Sequence, residues 1–250
     1  MKKILAVLAV GMISSMAHAA TVGSQSYKDN IEVGGSMWIP FGPHADSAGL
    51  PGVGVKGVAL GQLSKISMRS VRKLTEQNPD YGATDGNNVT VVTPPAHGKV
   101  AMGNFNFAQL ADSNAEVYYG EWTAHNDTAG ATRSVYYVGK DKTANMPTSG
   151  TATYAVKGIN QYSGNNQLNG TFTADFGKNT LKGSLANNAL NVGVDAKINT
   201  AAASFNGSAT AAGKTGTSQG HFFGNNAGSL AGFAKFDDRK LDTAFGGVKK

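Results

Sequence analysis

From Thr151 onward, apolar or small residues alternate with polar ones at a period of two. Leu168, Gly170, Phe172, Ala174 and Phe176 share one parity, and so do Leu190, Val192, Val194, Ala196 and Ile198. Eight such runs follow one another: 151–158, 168–176, 180–186, 189–198, 201–210, 215–223, 229–236 and 240–248, separated by Asn, Gly, Asp or Ser. This alternation, with hairpin spacing, predicts antiparallel strands that bury one face. Eight strands in about 100 residues fit a small up-and-down barrel, in which closure removes the exposed edges. A two-sheet sandwich is the competing architecture. Inward Gly and Ala positions suit a narrow barrel filled by a few Phe. The run that ends the chain is expected to close the sheet.

The first half has a different texture. Residues 20–35 are polar and read as extended. The apolar cluster Ser36-Met-Trp-Ile-Pro-Phe41 is closed by Gly42-Pro43-His44, and Pro and Gly make 45–62 a loop or irregular strand. Ser64 to Gln77 is the helix candidate, with Leu63, Ile66, Val71 and Leu74 partly on one face and Asn78-Pro79 ending it. The alternation of Ile66 and Met68 competes as a strand. Val89, Val91 and Val92 read as a strand stopped by Pro94-Pro95, and 105–110 is ambiguous. Two aromatic runs, 116–122 with Tyr118, Tyr119 and Trp122, and 134–139 with Tyr136 and Tyr137, form a hairpin whose long polar tip holds His125. The polar join 140–149 marks the domain boundary. The expected fold is therefore mainly β: an N-terminal β-rich (α+β) domain, 20–149, then an eight-stranded antiparallel barrel, 150–250.

Residues 1–19 read as a secretory signal peptide. Lys2-Lys3 is a basic start, Ile4 to Ile13 an apolar stretch too short to span a bilayer, and Ala17-His18-Ala19 a cleavage site. With no cysteine, the exported chain has neither disulfide nor lipid anchor, so burial and sheet hydrogen bonds must hold it together. The expected location is extracellular, reached through the periplasm. The net charge of +6 falls to +4 without Lys2 and Lys3, and no long Lys/Arg run supports nucleic-acid binding.

The C-terminal stretch is specific. Gly220-His-Phe-Phe-Gly-Asn-Asn-Ala227, then Leu230-Ala-Gly-Phe233, then Ala244-Phe-Gly246 resembles the terminal β-barrel of the transferrin-binding protein B family. Such barrels end many clients of the surface lipoprotein assembly modulator. In front of it, Tyr118-Tyr-Gly-Glu-Trp122 and Val135-Tyr-Tyr-Val-Gly139 resemble the handle domain of hemophilin-type secreted hemophores. The resemblance implies haem b held by N-terminal loops through axial histidine, capture of haem for bacterial iron uptake, and no enzymatic activity. The implied partners are haem, host haemoglobin, an outer-membrane secretion pore and a haem receptor.

Haem asks for imidazole on the iron, an apolar and aromatic slot for the ring, and cations or hydroxyls for the propionates. His44 follows Trp38 and Phe41, and His125 follows Tyr118, Tyr119 and Trp122. These two histidines are the expected iron ligands, with His97 in reserve and the five aromatics as slot walls. A solvated loop position is the competing reading for each histidine. His221, inside a barrel strand, reads as structural. Lys65, Arg69, Arg72 and Lys73 offer cations, or simply a solvated helix face.

Three patterns mislead. Gly52 to Gly57 matches a dinucleotide fingerprint without the strand that must lead into it, and Gly207 to Thr215 imitates a phosphate loop inside a hairpin. Ser70-Val-Arg-Lys73 with Lys214-Thr-Gly216 has the elements of a serine β-lactamase but lacks its helical domain. The rival to a haem carrier is an exported client that binds a host or partner protein through its N-terminal domain.

Overall fold

The computed structural model describes residues 20–57, 65–96, 98–111 and 115–250. The signal-peptide expectation for 1–19, Leu63, Ser64 and His97 lie outside these residues.

The N-terminal half comprises β1 (Val22–Gln25), β2 (Ile31–Gly35), β3 (Pro51–Val55), β4 (Ile66–Ser67), α1 (Met68–Gln77), β5 (Gly82–Thr84), β6 (Val89–Val92), β7 (Asn104–Gln109), β8 (Val117–Thr123) and β9 (Ser134–Gly139). Six strands form one sheet in the order β1-β9-β8-β7-β6-β5, and β2-β3-β4 form a second. The segment read both as helix and as strand is both. Ile66 and Ser67 pair with β3, and the helix begins at Met68, where Ser67 caps it by accepting from the Ser70 amide at 3.1 Å. The stretch read as a loop or irregular strand contains the regular, fully buried β3. The ambiguous 105–110 segment becomes β7, at the centre of the large sheet.

Eight strands follow: β10 (Thr151–Ile159), β11 (Leu168–Asp175), β12 (Thr180–Ala186), β13 (Asn191–Asn199), β14 (Ser204–Ala211), β15 (Lys214–Phe223), β16 (Ser229–Lys235) and β17 (Thr243–Lys249). They form a closed antiparallel barrel, and β17 closes it against β10 with Phe245 opposite Gly158. Two predicted starts shift by three residues: Thr200 to Ala203 form a turn that delays β14 to Ser204, and a 3-10 turn at Arg239–Leu241 delays the last strand to Thr243. Inside, Phe172 meets Phe245 edge-on at 5.1 Å and Phe205 meets Phe222 at 5.6 Å. Gly220 and Gly232 leave room for the Phe205 ring, which a Cβ at either position would strike.

The large sheet lies between two cores. One face packs Phe105, Phe107, Trp122, Tyr136 and Val138 against β2, β3 and α1. The other packs Tyr119, Val135 and Tyr137 against the outer wall of the barrel at Phe223, Ala231, Phe233 and Ala244. This explains why β16 and β17 lose the alternation of exposure seen in β10 to β14: both of their faces are buried. Buried ions join the halves. Burial works against the Glu121 carboxylate, but Arg133 and hydrogen bonds hold it below the usual carboxylate range. It accepts from Arg133 at 2.7 Å and from the Gln161 and Tyr162 amides at 2.8 and 2.7 Å. Arg133 also donates to the Arg239 and Asp242 carbonyls.

Candidate functional site

On the face of the N-terminal domain away from the barrel, β3, β4 and α1 surround an apolar cavity of about 240 Å³. Val53, Val55, Ile66, Val71, Leu74 and Phe105 form its walls; Met37, Ile39, Phe41, Pro43, His44, Pro94, Pro95 and Met102 complete the lining. It is smaller than the ~300–1,000 Å³ pockets that engulf a drug-sized ligand. Phe41 in this lining is 85% exposed, and Trp38, outside the lining, is 65% exposed.

His44 is the imidazole in this lining. It rides on a small hairpin between β2 and β3. Ile39 and Asp46 exchange backbone hydrogen bonds at 3.0 and 2.9 Å, and the turn is closed by the Ala45 amide donating to the Gly42 carbonyl. The hairpin is fastened to the start of α1. The Ser67 hydroxyl donates to the Asp46 carboxylate at 2.6 Å, and the Ser70 hydroxyl donates to the His44 carbonyl at 3.3 Å. Burial alone would raise the Asp46 carboxyl. The Ser67 and Ser47 hydrogen bonds, with Arg69 and Lys73 nearby, hold it below its ordinary value. An apolar slot with an imidazole on its wall suits haem chemistry, which needs a nitrogen donor and exclusion of water from the ring.

Two family models match the chain in order: the HphA N-terminal heme-binding domain over residues 16–134 and the HphA C-terminal domain over 143–249. The chain belongs to the HphA family. Among solved structures, the haemoglobin receptor HpuA from Kingella denitrificans in its apo form shares the fold with a TM-score of 0.58 at 14% identity, over 94% of this chain and 88% of that one. HpuA from Kingella denitrificans in complex with human haemoglobin gives 0.56 at 16% identity over the same shares. The intact transferrin-binding protein B Ap-TbpB matches 67% of this chain and 39% of its own at 17% identity, with a TM-score of 0.45.

This HphA-family chain distributes the expected site residues unevenly. Phe41 and His44 line the cavity, and Trp38 stands exposed on the same hairpin. The expectation that Tyr118, Tyr119 and Trp122 wall the slot is revised, because all three are buried in packed cores. Tyr119 points the other way, against Gly246 of the barrel. Tyr118 packs under the Arg72 guanidinium, 5.6 Å from its ring centre. Trp122 acts behind the wall: its indole N–H donates to the carbonyl of Met102, a lining residue, at 2.8 Å.

His125 lies exposed on the β8–β9 turn and does not line the cavity. That turn is held by Asp127, which accepts from the Thr132 and Ala131 amides at 2.7 and 3.1 Å. His97 is outside the described residues, just after the lining pair Pro94-Pro95. Of the four cations, Lys65 pairs with Glu32, Arg69 with Glu116, and Arg72 donates to Gln109. Lys73 is exposed and enters no ion pair among the described residues. The Ser70 hydroxyl donates to the His44 carbonyl and Lys214 opens a barrel strand, so the β-lactamase pattern joins two domains.

The reading of the sequence missed Val53, Val55, Phe105 and Asp46. The first two carried a signal in the alternation of Pro51-Gly-Val-Gly-Val55. Gly52 is required there, since a Cβ would stand 2.7 Å from the Ile66 carbonyl.

Proposed function

We propose that the protein is an exported haem carrier that takes up haem b in the cavity of its N-terminal domain, with His44 as an iron ligand. The observation that carries this reading is the apolar cavity with His44 and the exposed Phe41 in its lining and Trp38 exposed on the same hairpin. The match to a heme-binding domain model over the same residues supports it. Haem, when bound, supplies an iron that accepts an imidazole nitrogen. The chain supplies the donor, the dry walls and, at Lys73, a cation for a propionate. His97 and His125 are the candidates for a second ligand. The leader-like residues 1–19 support export. A secretion pore and a surface receptor are the implied partners for export and uptake.

Hemin titrated into apo-protein is expected to give a saturable Soret band. His44→Ala is expected to weaken binding and move the visible bands, and His97→Ala and His125→Ala identify the second ligand by the same shift. A wild-type protein with no saturable Soret change ends the haem reading. A second reading, a client that grips a host protein, is favoured by the exposure of Trp38 and Phe41 and by the fold shared with HpuA, which was solved with haemoglobin. Haemoglobin binding that survives removal of haem and is lost in Trp38→Ala would select it.

A further inference from the structure

We propose that Asp46 is a positioning residue of this site: its carboxylate ties the hairpin carrying His44 to the N-terminus of α1 and so sets where the imidazole stands on the cavity wall. This rests on the reading of His44 as an iron ligand.

The base of the hairpin is sewn to the sheet, with the Met37 amide on the Lys65 carbonyl and the Ser36 hydroxyl on the Ser47 carbonyl. Beyond the Ile39–Asp46 pair, the tip residues Gly42 and Pro43 are exposed. Asp46 meets the helix cap from this side. One carboxylate oxygen accepts from Ser67 Oγ at 2.6 Å and the other from the Ser47 amide at 2.8 Å.

Ser67 has one hydroxyl proton, and its oxygen already accepts from the Ser70 amide. Ser67 Oγ lies 2.6 Å from the Asp46 carboxylate and 3.0 Å from Ser70 Oγ, and the shorter, charge-assisted bond to Asp46 takes its proton, while the Ser70 hydroxyl donates to the His44 carbonyl. The chain of donors therefore runs Ser70 amide to Ser67 to Asp46, with the Ser70 hydroxyl to His44 beside it. It crosses from the start of α1 to the hairpin that carries His44. Groups behind a metal ligand fix its orientation, and losing one typically costs about 10–100-fold in affinity. Asp46 fills this role through the backbone, two residues from the imidazole it places.

The full chain carrying Asp46→Ala or Asp46→Asn tests this with two readouts. Amide hydrogen exchange without hemin is expected to speed up at residues 39 and 46 in Asp46→Ala. Haem loss to excess apomyoglobin is expected to be about 10–100-fold faster, with shifted visible bands. Asp46→Asn keeps an acceptor for Ser67 and is expected to fall between Asp46→Ala and wild type. If Asp46→Ala loses haem at the wild-type rate with wild-type bands while His44→Ala is defective, the positioning role is wrong and the ligand assignment stands. If His44→Ala behaves as wild type, or wild type gives no Soret band, the ligand reading fails and this role fails with it.

Discussion

Two histidines beside aromatic residues, His44 and His221, end in opposite situations. His221 leaves the outer wall of the barrel and meets the sheet, where Tyr137 Oη lies 2.7 Å from its Nδ1. Burial, helped by Lys142, lowers its pKa to about 4, so it stays neutral through the physiological range. It is an interface residue, as its place in a strand implied. A histidine titrates near 6.5 when unfolded, so the unfolded chain binds the proton first as the pH falls. The His221 contribution is present above about 6.5 and is lost as the pH drops toward 4. Asp242 has the opposite sign. Burial raises it to about 6, so its contribution is present at low pH and is lost as the pH rises through that value. The two partly cancel between about 4 and 6, and whole-protein stability would hide both. The comparison that isolates His221 is wild type against His221→Gln in urea at a series of pH values. The wild-type advantage is expected to shrink steadily from pH 6.5 to 4, and a constant difference would contradict the assignment.

The strands β16 and β17 show what one element can carry on its two faces. The Phe-Gly pair at the end of the chain divides the work. Phe245 points inward, where it meets Phe172. Gly246 points outward, where a Cβ would stand 2.5 Å from the Tyr119 ring and 2.9 Å from Leu110. Both neighbours are buried in the core between the sheet and the barrel. Gly246→Ala is therefore expected to cost about 1–3 kcal/mol, the range for overpacking a filled core, read as a lower urea midpoint. A variant as stable as wild type would show that β8 and β17 are less tightly apposed. The eight barrel strands were legible because each repeats an alternating pattern that burial of one face demands. β3 was not, because a proline and two glycines among its five residues look like loop residues and mask the alternation of Val53 and Val55.

Across the molecule, the buried Glu121–Arg133 pair connects the β8–β9 hairpin to the first and last loops of the barrel. Glu121 and Arg133 belong to the β8–β9 hairpin, while their remaining partners are the Gln161 and Tyr162 amides and the Arg239 and Asp242 carbonyls of the barrel loops. With its partner removed, either ion would be stranded in a dry interface. Arg133→Met is expected to cost about 3–5 kcal/mol, measured by urea unfolding, and Glu121→Gln added to it is expected to recover part of that loss. Additive losses would mean that the two ions act independently. The linker is stitched as well: Thr143 donates through its amide to the Phe222 carbonyl and through its hydroxyl to the Gly224 carbonyl. The N-terminal domain, and with it the cavity, is thus held on the barrel by apolar packing, a saturated ion network and a pinned join.

By itself the sequence determined the barrel, the hairpin of β8 and β9, the second half of α1 and the family, because each of these is written in local periodicity or in a contiguous motif. It also brought out His44 and Phe41, whose apolar neighbours are close in the chain. Only the tertiary structure decided which aromatics face the cavity. Tyr118, Tyr119 and Trp122 look alike in sequence, yet a sheet with both faces covered sends successive side chains to different cores. It also decided that Asp46 lies against Ser67, a contact across twenty-one residues that no local pattern encodes.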